Sequence, residues 1–323
     1  MKAAVYTGYG SPDAVRVIEI EKPVPKDDEV LLRVRGAAVN PLDSHIMRGK
    51  PYVMRLAFGL RRPRDARVGR DVAGDVEAVG GNVSRLKPGN AVFGACLGAF
   101  AEYACAREPA LAIKPGEITF EQAASAPIAA LTALQALRDK GRIQPGQKVL
   151  INGAAGGVGT FAVQIAKSVG ADVTGVCSTK NLEMVRSIGA DQVIDYTRED
   201  FTEGRERYDL IFDLVANHSL RTCRRILNPN ATYVAAGALS GEGITDFLAL
   251  LIKPPIFSRF VSQRMLTLMT RANQEDLTTI GGLMQSGRVK PVIDRRYSLN
   301  EAAEAIRYVA QKHARGKVVV AMP

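Results

Sequence analysis

Two textures of apolar and polar positions divide the chain. Up to about residue 115 the apolar residues come in short β-branched runs: "MKAAVYTG", "AVRVIEIEKP", "EVLLRVRGAAVN", "DVAGDVEAVG" and "NAVFGACLGAFAEYACA". Pro, Gly and charged turns separate them, so they predict strands with no regular helix between. From about residue 119 the texture changes. "TFEQAASAPIAALTALQALRDKG" (119–141) is rich in Ala and Leu at helical spacing. Strand "KVLI" (148–151), a glycine turn, helix "FAVQIAKSVG", strand "DVTGVC" (172–177), helix "LEMVRSIGA", strands "QVIDY" and "YDLIFDLV", helix "SLRTCRRIL" and strand "TYVAAGA" follow. This alternation predicts a doubly wound parallel sheet. Residues 244–286 read as mostly helical, and the tail returns to strands in "KPVIDRRYSL" and "GKVVVAMP" around helix "NEAAEAIRYVAQ". Strand texture at both ends predicts a split first domain, residues 1–118 completed by 288–323, and a central domain over 119–287.

The turn after "KVLI" carries the first candidate chemistry. In "NGAAGGVGTFAVQIAK" (152–167) the template G-x-G-x-x-G falls on Ala154, Gly156 and Gly159. A strand, a glycine turn and a helix place free backbone N–H groups where a pyrophosphate is favoured. Gly156 would let the backbone approach the phosphate, and Gly159 would let the helix pack closely on the strand. An ordinary tight turn would look similar, but the second strand "DVTGVC" supplies the context a dinucleotide site requires.

The bulk numbers then narrow the field. At 323 residues, 46% apolar and 24% charged, the chain can fill two cores. The longest apolar stretch, "FLALLIKPPIF" (247–257), is broken by Lys253, Pro254 and Pro255, too short for a membrane span. "MKAAVYTGYG" lacks the apolar core of a signal peptide. Cys96, Cys105, Cys177 and Cys223 are scattered with no C-x-x-C pair, as in a reduced cytoplasmic protein. Half of the net charge of +10 lies in "PYVMRLAFGLRRPRDARVGR" (51–70), with six arginines and one aspartate. That loop reads as solvated, as a contact for an acidic partner or an anionic membrane surface, or as the rim of an active-site mouth. Aromatic residues do not interleave its arginines as a stacking platform would require, Phe58 alone standing among them, which argues against nucleic acid.

Several segments together resemble one family. "AAVNPLD" (37–43), "GRDVAGDVEAVG" (69–80), "GNAVFG" (89–94), "GAFAEYA" (98–104), "AALTALQAL" (129–137), "VLINGAAGGVG" (149–159), "GADQVIDY" (189–196), "KPVIDRRYSL" (290–299) and "GKVVV" (316–320) occur in that order over nearly the whole chain. The chain resembles the medium-chain dehydrogenase/reductase superfamily, in its zinc-less quinone oxidoreductase and enone reductase branch. The resemblance implies an α/β protein: a GroES-like β-barrel domain from both chain ends and a central Rossmann sheet. Zinc-dependent relatives carry a cysteine where this chain has "AAVNPLD" and a His-Glu pair where it has Arg70-Asp71. They also carry a four-cysteine lobe that is missing here. Neither the three histidines, His45, His218 and His313, nor the four cysteines have ligand spacing, so no metal is expected. What remains is hydride transfer to an acceptor already activated by conjugation: a quinone, an enone or an enoyl thioester. Two alternatives from other classes are an NADPH-binding partner or scaffold protein with weak activity, and an RNA-binding role for the basic face.

The catalytic candidates are Asn40, Asp43 and Tyr52. The resemblance implies that Asn40 faces the nicotinamide end; alternatively Asn40-Pro41 shapes a turn and Asp43 caps the following helix. Tyr52 is either a donor to the substrate oxygen or a surface aromatic, and Phe93 and Phe100 line a pocket or a core. The cofactor-binding candidates are Thr132, Ala154, Gly156, Gly157, Val158, Gly159, Ser178, Lys180, Tyr196, Gly237 and Gly316. Thr132 and Tyr196 enter through the resemblance, and Thr132 could equally bond its own helix backbone. The expected cofactor is NADPH. Where an NAD site places a carboxylate, after the second strand, this chain has "CSTKN", in which Ser178 and Lys180 suit a 2′-phosphate. A homodimer is expected, with "RMLTLMT" (264–270) as a pairing edge strand, or else as a helix covered by its own chain.

Overall fold

The computed structural model describes residues 1–50, 52, 54–236 and 252–322, and two compact units emerge. Unit 1 comprises Met1–Leu131, Ala272–Gly287 and Pro291–Pro323; unit 2 comprises Thr132–Arg271 and Arg288–Lys290.

In unit 1 the apolar runs form β1 (Lys2–Val5), β2 (Arg16–Glu19), β3 (Glu29–Val39), β4 (Asp71–Val79), β5 (Ala91–Ala95), β6 (Tyr103–Arg107) and β7 (Leu111–Ile113). The tail adds β14 (Ile293–Ser298) and β15 (Lys317–Ala321). A seven-stranded sheet runs β14-β15-β3-β4-β5-β7, with β6 also on β3. All its pairings are antiparallel except β14 with β15. The tail strand β15 lies against β3, Val318 opposite Val39 and Val320 opposite Ala37. One core therefore joins both chain ends: Val30, Leu32 and Val34 share it with Ile306, Val318 and Val320. Phe93 and Phe100 are fully buried, which makes them core. Between β3 and β4 lie α1 (Pro41–Arg48) and α2 (Met54–Phe58).

The long helical stretch after residue 119 is divided. Thr119 caps α3 (Phe120–Ser125), and α4 (Pro127–Gln135) starts on a proline that has no N–H to continue the ladder. Within unit 1, Gln274–Gln285 is a helix whose Gly281 approaches Phe93 and Pro115, so it goes with the antiparallel sheet rather than with the central domain that the sequence division assigned it to.

In unit 2 β8 (Lys148–Asn152), β9 (Asp172–Cys177), β10 (Gln192–Asp195), β11 (Tyr208–Asp213), β12 (Leu227–Ala235) and β13 (Arg264–Thr267) form a wholly parallel sheet ordered β10-β9-β8-β11-β12-β13. That is the doubly wound order, with its reversal between β8 and β11. The expectation of helix over most of 244–286 fails at β13. Met265 is fully buried there beside Tyr233, and parallel pairing outweighs helix propensity. Helix does cover 252–257 and Gln274–Gln285.

Candidate functional site

Unit 2 supplies a candidate phosphate cradle built almost entirely from backbone. The turn after β8 is tied to β9 by the Gly153 and Ala154 amides, which donate to the Val176 carbonyl at 3.2 and 3.0 Å. Gly153 has φ +90°, a conformation that disfavours any side chain. Helix α5 (Gly157–Ser168) then begins with Gly156 as its N-cap. A Cβ on Gly159 would lie 2.1 Å from the Gly153 carbonyl oxygen, so this glycine permits the close helix–turn packing. A Cβ on Gly156 would meet only that oxygen, at 3.5 Å, so the space in front of it is open. Helix geometry leaves the amides of Gly157, Val158 and Gly159 without intrahelical acceptors. Ala154, in the template's first position, is fully buried.

Two further features of unit 2 escaped the sequence reading. At the sheet reversal, Asp213 ends β11 with no exposed surface. Its carboxylate accepts from Asn152 Nδ2 at 2.9 Å, from the Val215 and Ala216 amides at 3.0 and 2.8 Å, and from the Tyr233 hydroxyl at 2.8 Å. This fixes the loop that leaves β11 beside the cradle. At the end of β9, Asn181 donates through Nδ2 to Ser178 Oγ at 3.2 Å, while its Oδ1 is buried with no partner. A buried orphan acceptor beside Ser178 is a polar group still seeking a donor.

The remaining cofactor candidates of unit 2 sit as follows. Lys180 is exposed, and Tyr196 is 59% exposed. The nearby carboxylate of Asp195, on β10, accepts from Thr179 Oγ1, Thr197 Oγ1 and the Thr197 amide. Those bonds, led by Thr179, hold it below the usual carboxylate range, so it stays ionised and internally satisfied. Thr132 is buried and its hydroxyl meets Thr270 Oγ1 at 2.8 Å. Gly237 lies outside the described residues.

Unit 1 carries a different kind of site. Strand register places Lys317 one step beyond the Val318–Val39 pair, beside Asn40, while Asp71 opens β4 opposite Ala38. Three neighbouring strands thus present three polar residues at one end. Lys317 Nζ donates to Asn40 Oδ1 at 2.7 Å and to Asp71 Oδ2 at 3.0 Å; Asn40 Nδ2 donates to the same Asp71 oxygen at 2.9 Å. The other oxygen, Asp71 Oδ1, accepts from the Ile128 amide at 3.0 Å. Lys317, Asp71 and Asn40 are 3%, 0% and 4% exposed, so this is a fully desolvated ion pair with an amide locked into it.

Asn40 is also the N-cap of α1, and Asp43 Oδ2 accepts from its backbone N–H at 2.7 Å. Capping and clustering therefore coexist: the backbone of Asn40 belongs to the helix start and its side chain to the ion pair. Burial pushes the Asp43 carboxyl up to about 7, against the pull of the Asn40 amide and Arg70. Tyr52 is not brought to this cluster. It is 62% exposed, with the Arg55 guanidinium 4.8 Å from its ring centroid. Gly316 has φ +81°, and a Cβ there would fall 2.3 Å from the Val292 carbonyl oxygen, a packing requirement of unit 1. The sequence reading missed Asp71 and Lys317 as cluster members. Both stand in segments it had quoted, but nothing local marks them as partners. Among the described residues no group of three or more His, Cys, Asp or Glu is placed to hold a metal.

A family model described as "Alcohol dehydrogenase GroES-like domain" matches residues 26–116, and one described as "Zinc-binding dehydrogenase" matches residues 188–320. A 2-methylene-furan-3-one reductase of Solanum lycopersicum is 34% identical over 99% of this chain and 79% of its own length. An NADPH-dependent alkenal/one oxidoreductase, chloroplastic, of Arabidopsis thaliana is 34% identical with the same coverage. Among solved structures, the quinone oxidoreductase from Coxiella burnetii superposes with TM-score 0.89 at 28% identity, covering 100% of this chain and 99% of the other.

Proposed function

The chain belongs to the medium-chain dehydrogenase/reductase superfamily, in its quinone oxidoreductase and enone reductase branch, and from that premise we propose an NADPH-dependent reductase of quinones or α,β-unsaturated carbonyls. The observation that carries the cofactor half is the open face of Gly156 at the start of α5. The bound nicotinamide supplies a hydride to a carbon made electrophilic by conjugation. The protein's part is to bind and orient. The amides of Gly157, Val158 and Gly159 hold the pyrophosphate. Ser178 and Lys180 take the 2′-phosphate, where no carboxylate of the β9 end opposes it, with Asn181 Oδ1 available to a ribose hydroxyl. Tyr196, Thr132, Gly237 and Gly316 complete the proposed cofactor contacts.

We assign Asn40 and Asp43 to the acceptor end. The Lys317–Asp71 pair holds the Asn40 amide in one orientation. Asp43, with its carboxyl near neutrality, can hold a proton at working pH. Tyr52, exposed on its turn, would reach a substrate only from the solvent side. The reaction is metal-independent in this proposal. The ammonium of Lys317 fills the hydrogen-bonding positions of Asn40 and Asp71 that a cation would otherwise take. We further propose a cytoplasmic homodimer, consistent with four free cysteines and with β13 as a terminal strand of its sheet. No helix among the described residues is long and apolar enough to cross a membrane.

The deciding experiment is steady-state NADPH oxidation with a panel of quinones, short enones, an enoyl-CoA and a saturated alcohol. Turnover of conjugated acceptors, retained after chelation, is expected. Efficient oxidation of the alcohol, or activity that chelation removes and zinc restores, would overturn the reading.

A further inference from the structure

The sheet of unit 2 reverses its order between β8 and β11, and in open parallel sheets a dinucleotide lies outside the carboxyl ends of the strands at such a reversal. The glycine turn after β8 forms one side of that crevice. The loop 214–217, after β11, forms the other, and its backbone is strained. Ala216 has φ +53°, a left-handed conformation that crowds its Cβ against its own backbone. A single strained residue persists only where its surroundings hold it, and such residues gather at ligand sites.

Asp213 and Asn152 do the holding. One carboxylate oxygen, Asp213 Oδ1, accepts from the Val215 and Ala216 amides at 3.0 and 2.8 Å and from Asn152 Nδ2 at 2.9 Å. Asn152 Nδ2 also donates to Asn217 Oδ1 at 2.9 Å, and the Leu214 amide donates to Asn152 O at 3.1 Å. Asn152 therefore grips the loop at both ends. It is the last residue of β8, next to Gly153, so one buried side chain joins the two sides of the crevice. The sides also touch: a Cβ on Gly153 would fall 3.1 Å from Val215 Cγ2 and 3.3 Å from Leu214 Cβ. Val215 nevertheless stays 42% exposed, an apolar side chain left open beside the cradle. A loop that only had to leave β11 needs neither the strain nor the grip.

Strand order decides which part of a ligand this loop meets. In β9-β8-β11 the glycine turn lies in the middle. With the 2′-phosphate at the end of β9 and the pyrophosphate on that turn, the half of the dinucleotide beyond the pyrophosphate runs past β11. Resting on the cofactor reading above, we propose that Val215 packs against the ribose on the nicotinamide side, and that Asn152 and Asp213 are positioning residues that hold the loop in that shape before the cofactor arrives. A loop already ordered costs the ligand no ordering when it binds.

The test titrates the full chain by calorimetry with NADPH and with adenosine 2′,5′-bisphosphate, which lacks the nicotinamide half, and melts the cofactor-free chain in parallel. Asn152→Ala should weaken NADPH about tenfold through its lost hydrogen bonds. Val215→Ala should weaken it about threefold through lost apolar contact, with no change in melting because the side chain is exposed. Both should leave the bisphosphate within about twofold. Tyr233→Phe removes only the bond to the other Asp213 oxygen; it should lower the melting point and leave NADPH affinity within about twofold. Asp213→Asn keeps an oxygen for the three donors and should retain NADPH binding. If Asn152→Ala and Tyr233→Phe lower affinity and melting in the same proportion, the network is an element of the fold and the positioning role is wrong. If Val215→Ala is silent, or weakens the bisphosphate as much as NADPH, the loop does not meet the nicotinamide half. A wild-type chain that binds NADPH while the variants show none of these differences keeps the cofactor reading and loses this one. A wild-type chain that binds neither ligand loses both.

Discussion

The cradle of unit 2 and the cluster of unit 1 solve opposite problems. The cradle is made of backbone: glycines at 153, 156 and 159 remove side chains so that amides can face a ligand. Its parts are consecutive in sequence. The cluster is made of side chains drawn from β4, β15 and the residue that follows β3, with Asn40 and Lys317 separated by 277 in sequence. The cradle can be read from a string of letters because its geometry is local. The cluster exists only once three strands are in register. Their tolerance to change should differ accordingly. A backbone site fails when a Cβ is added, and a buried ion pair fails when one charge is left without the other.

The largest effect is expected at the cluster. Lys317→Met leaves Asp71 charged and unpaired in a fully buried place, which costs about 3–5 kcal/mol and should appear as a lowered thermal midpoint. Adding Asp71→Asn removes the stranded charge and should recover most of the loss. If the double substitution is as unstable as Lys317→Met alone, the ion pair is not what holds these strands' ends.

The cradle offers a pair of glycines that separate stability from affinity. Gly159→Ala drives a methyl onto the backbone at Gly153, an overpacking worth about 1–3 kcal/mol, and should lower stability and NADPH affinity together. Gly156→Ala meets no close atom, so it should leave melting unchanged and weaken NADPH about tenfold or more, roughly 1.4 kcal/mol. Calorimetry and thermal melting on both variants check this. Equal melting losses would break the division of roles.

A third outcome concerns Asp43, beside the cluster. Its folded-state carboxyl is raised from 3.8 to about 7, chiefly by burial. Between those values the native chain holds a proton that the unfolded chain has lost. The resulting stability is present below pH 4 and fades as pH rises to about 7, with a slope of at most about 1.4 kcal/mol per pH unit from this group. Asp43→Asn should flatten that part of the stability–pH curve. A curve unchanged by the substitution would show that Asp43 titrates as an ordinary carboxylate.

The smallest effect is expected at the exposed end of the cradle. Lys180→Ala should weaken NADPH by about tenfold through one lost charge-assisted bond, and leave NADH nearly unchanged. Equal weakening of both would remove Lys180 from 2′-phosphate recognition.

How much of this was legible follows the same division. The parallel sheet was readable from βα alternation, and the cradle from three spaced small residues. The antiparallel sheet was readable as strands but not as an order. Residues 264–267 pulled two ways, because so short a stretch, with only Met265 and Leu266 apolar, carries no period that separates strand from helix. Asn40 was open between cap and site residue, and the structure gives its backbone to the helix start and its side chain to the Lys317–Asp71 pair. Tyr52 could be placed only by the path of its turn, which puts it in solvent.

The sequence by itself determined the two textures, the wholly local glycine turn with its open face, and the want of a carboxylate after "DVTGVC". Those depend on neighbours a few residues apart, and elementary sterics and hydrogen bonding act at that range. Tertiary structure alone decided that Lys317 meets Asp71 and Asn40 and that Asp213 anchors the loop after β11. Burial and strand register make those groups partners. A lysine in "GKVVV" is a solvated charge until the strand beside it takes the water away.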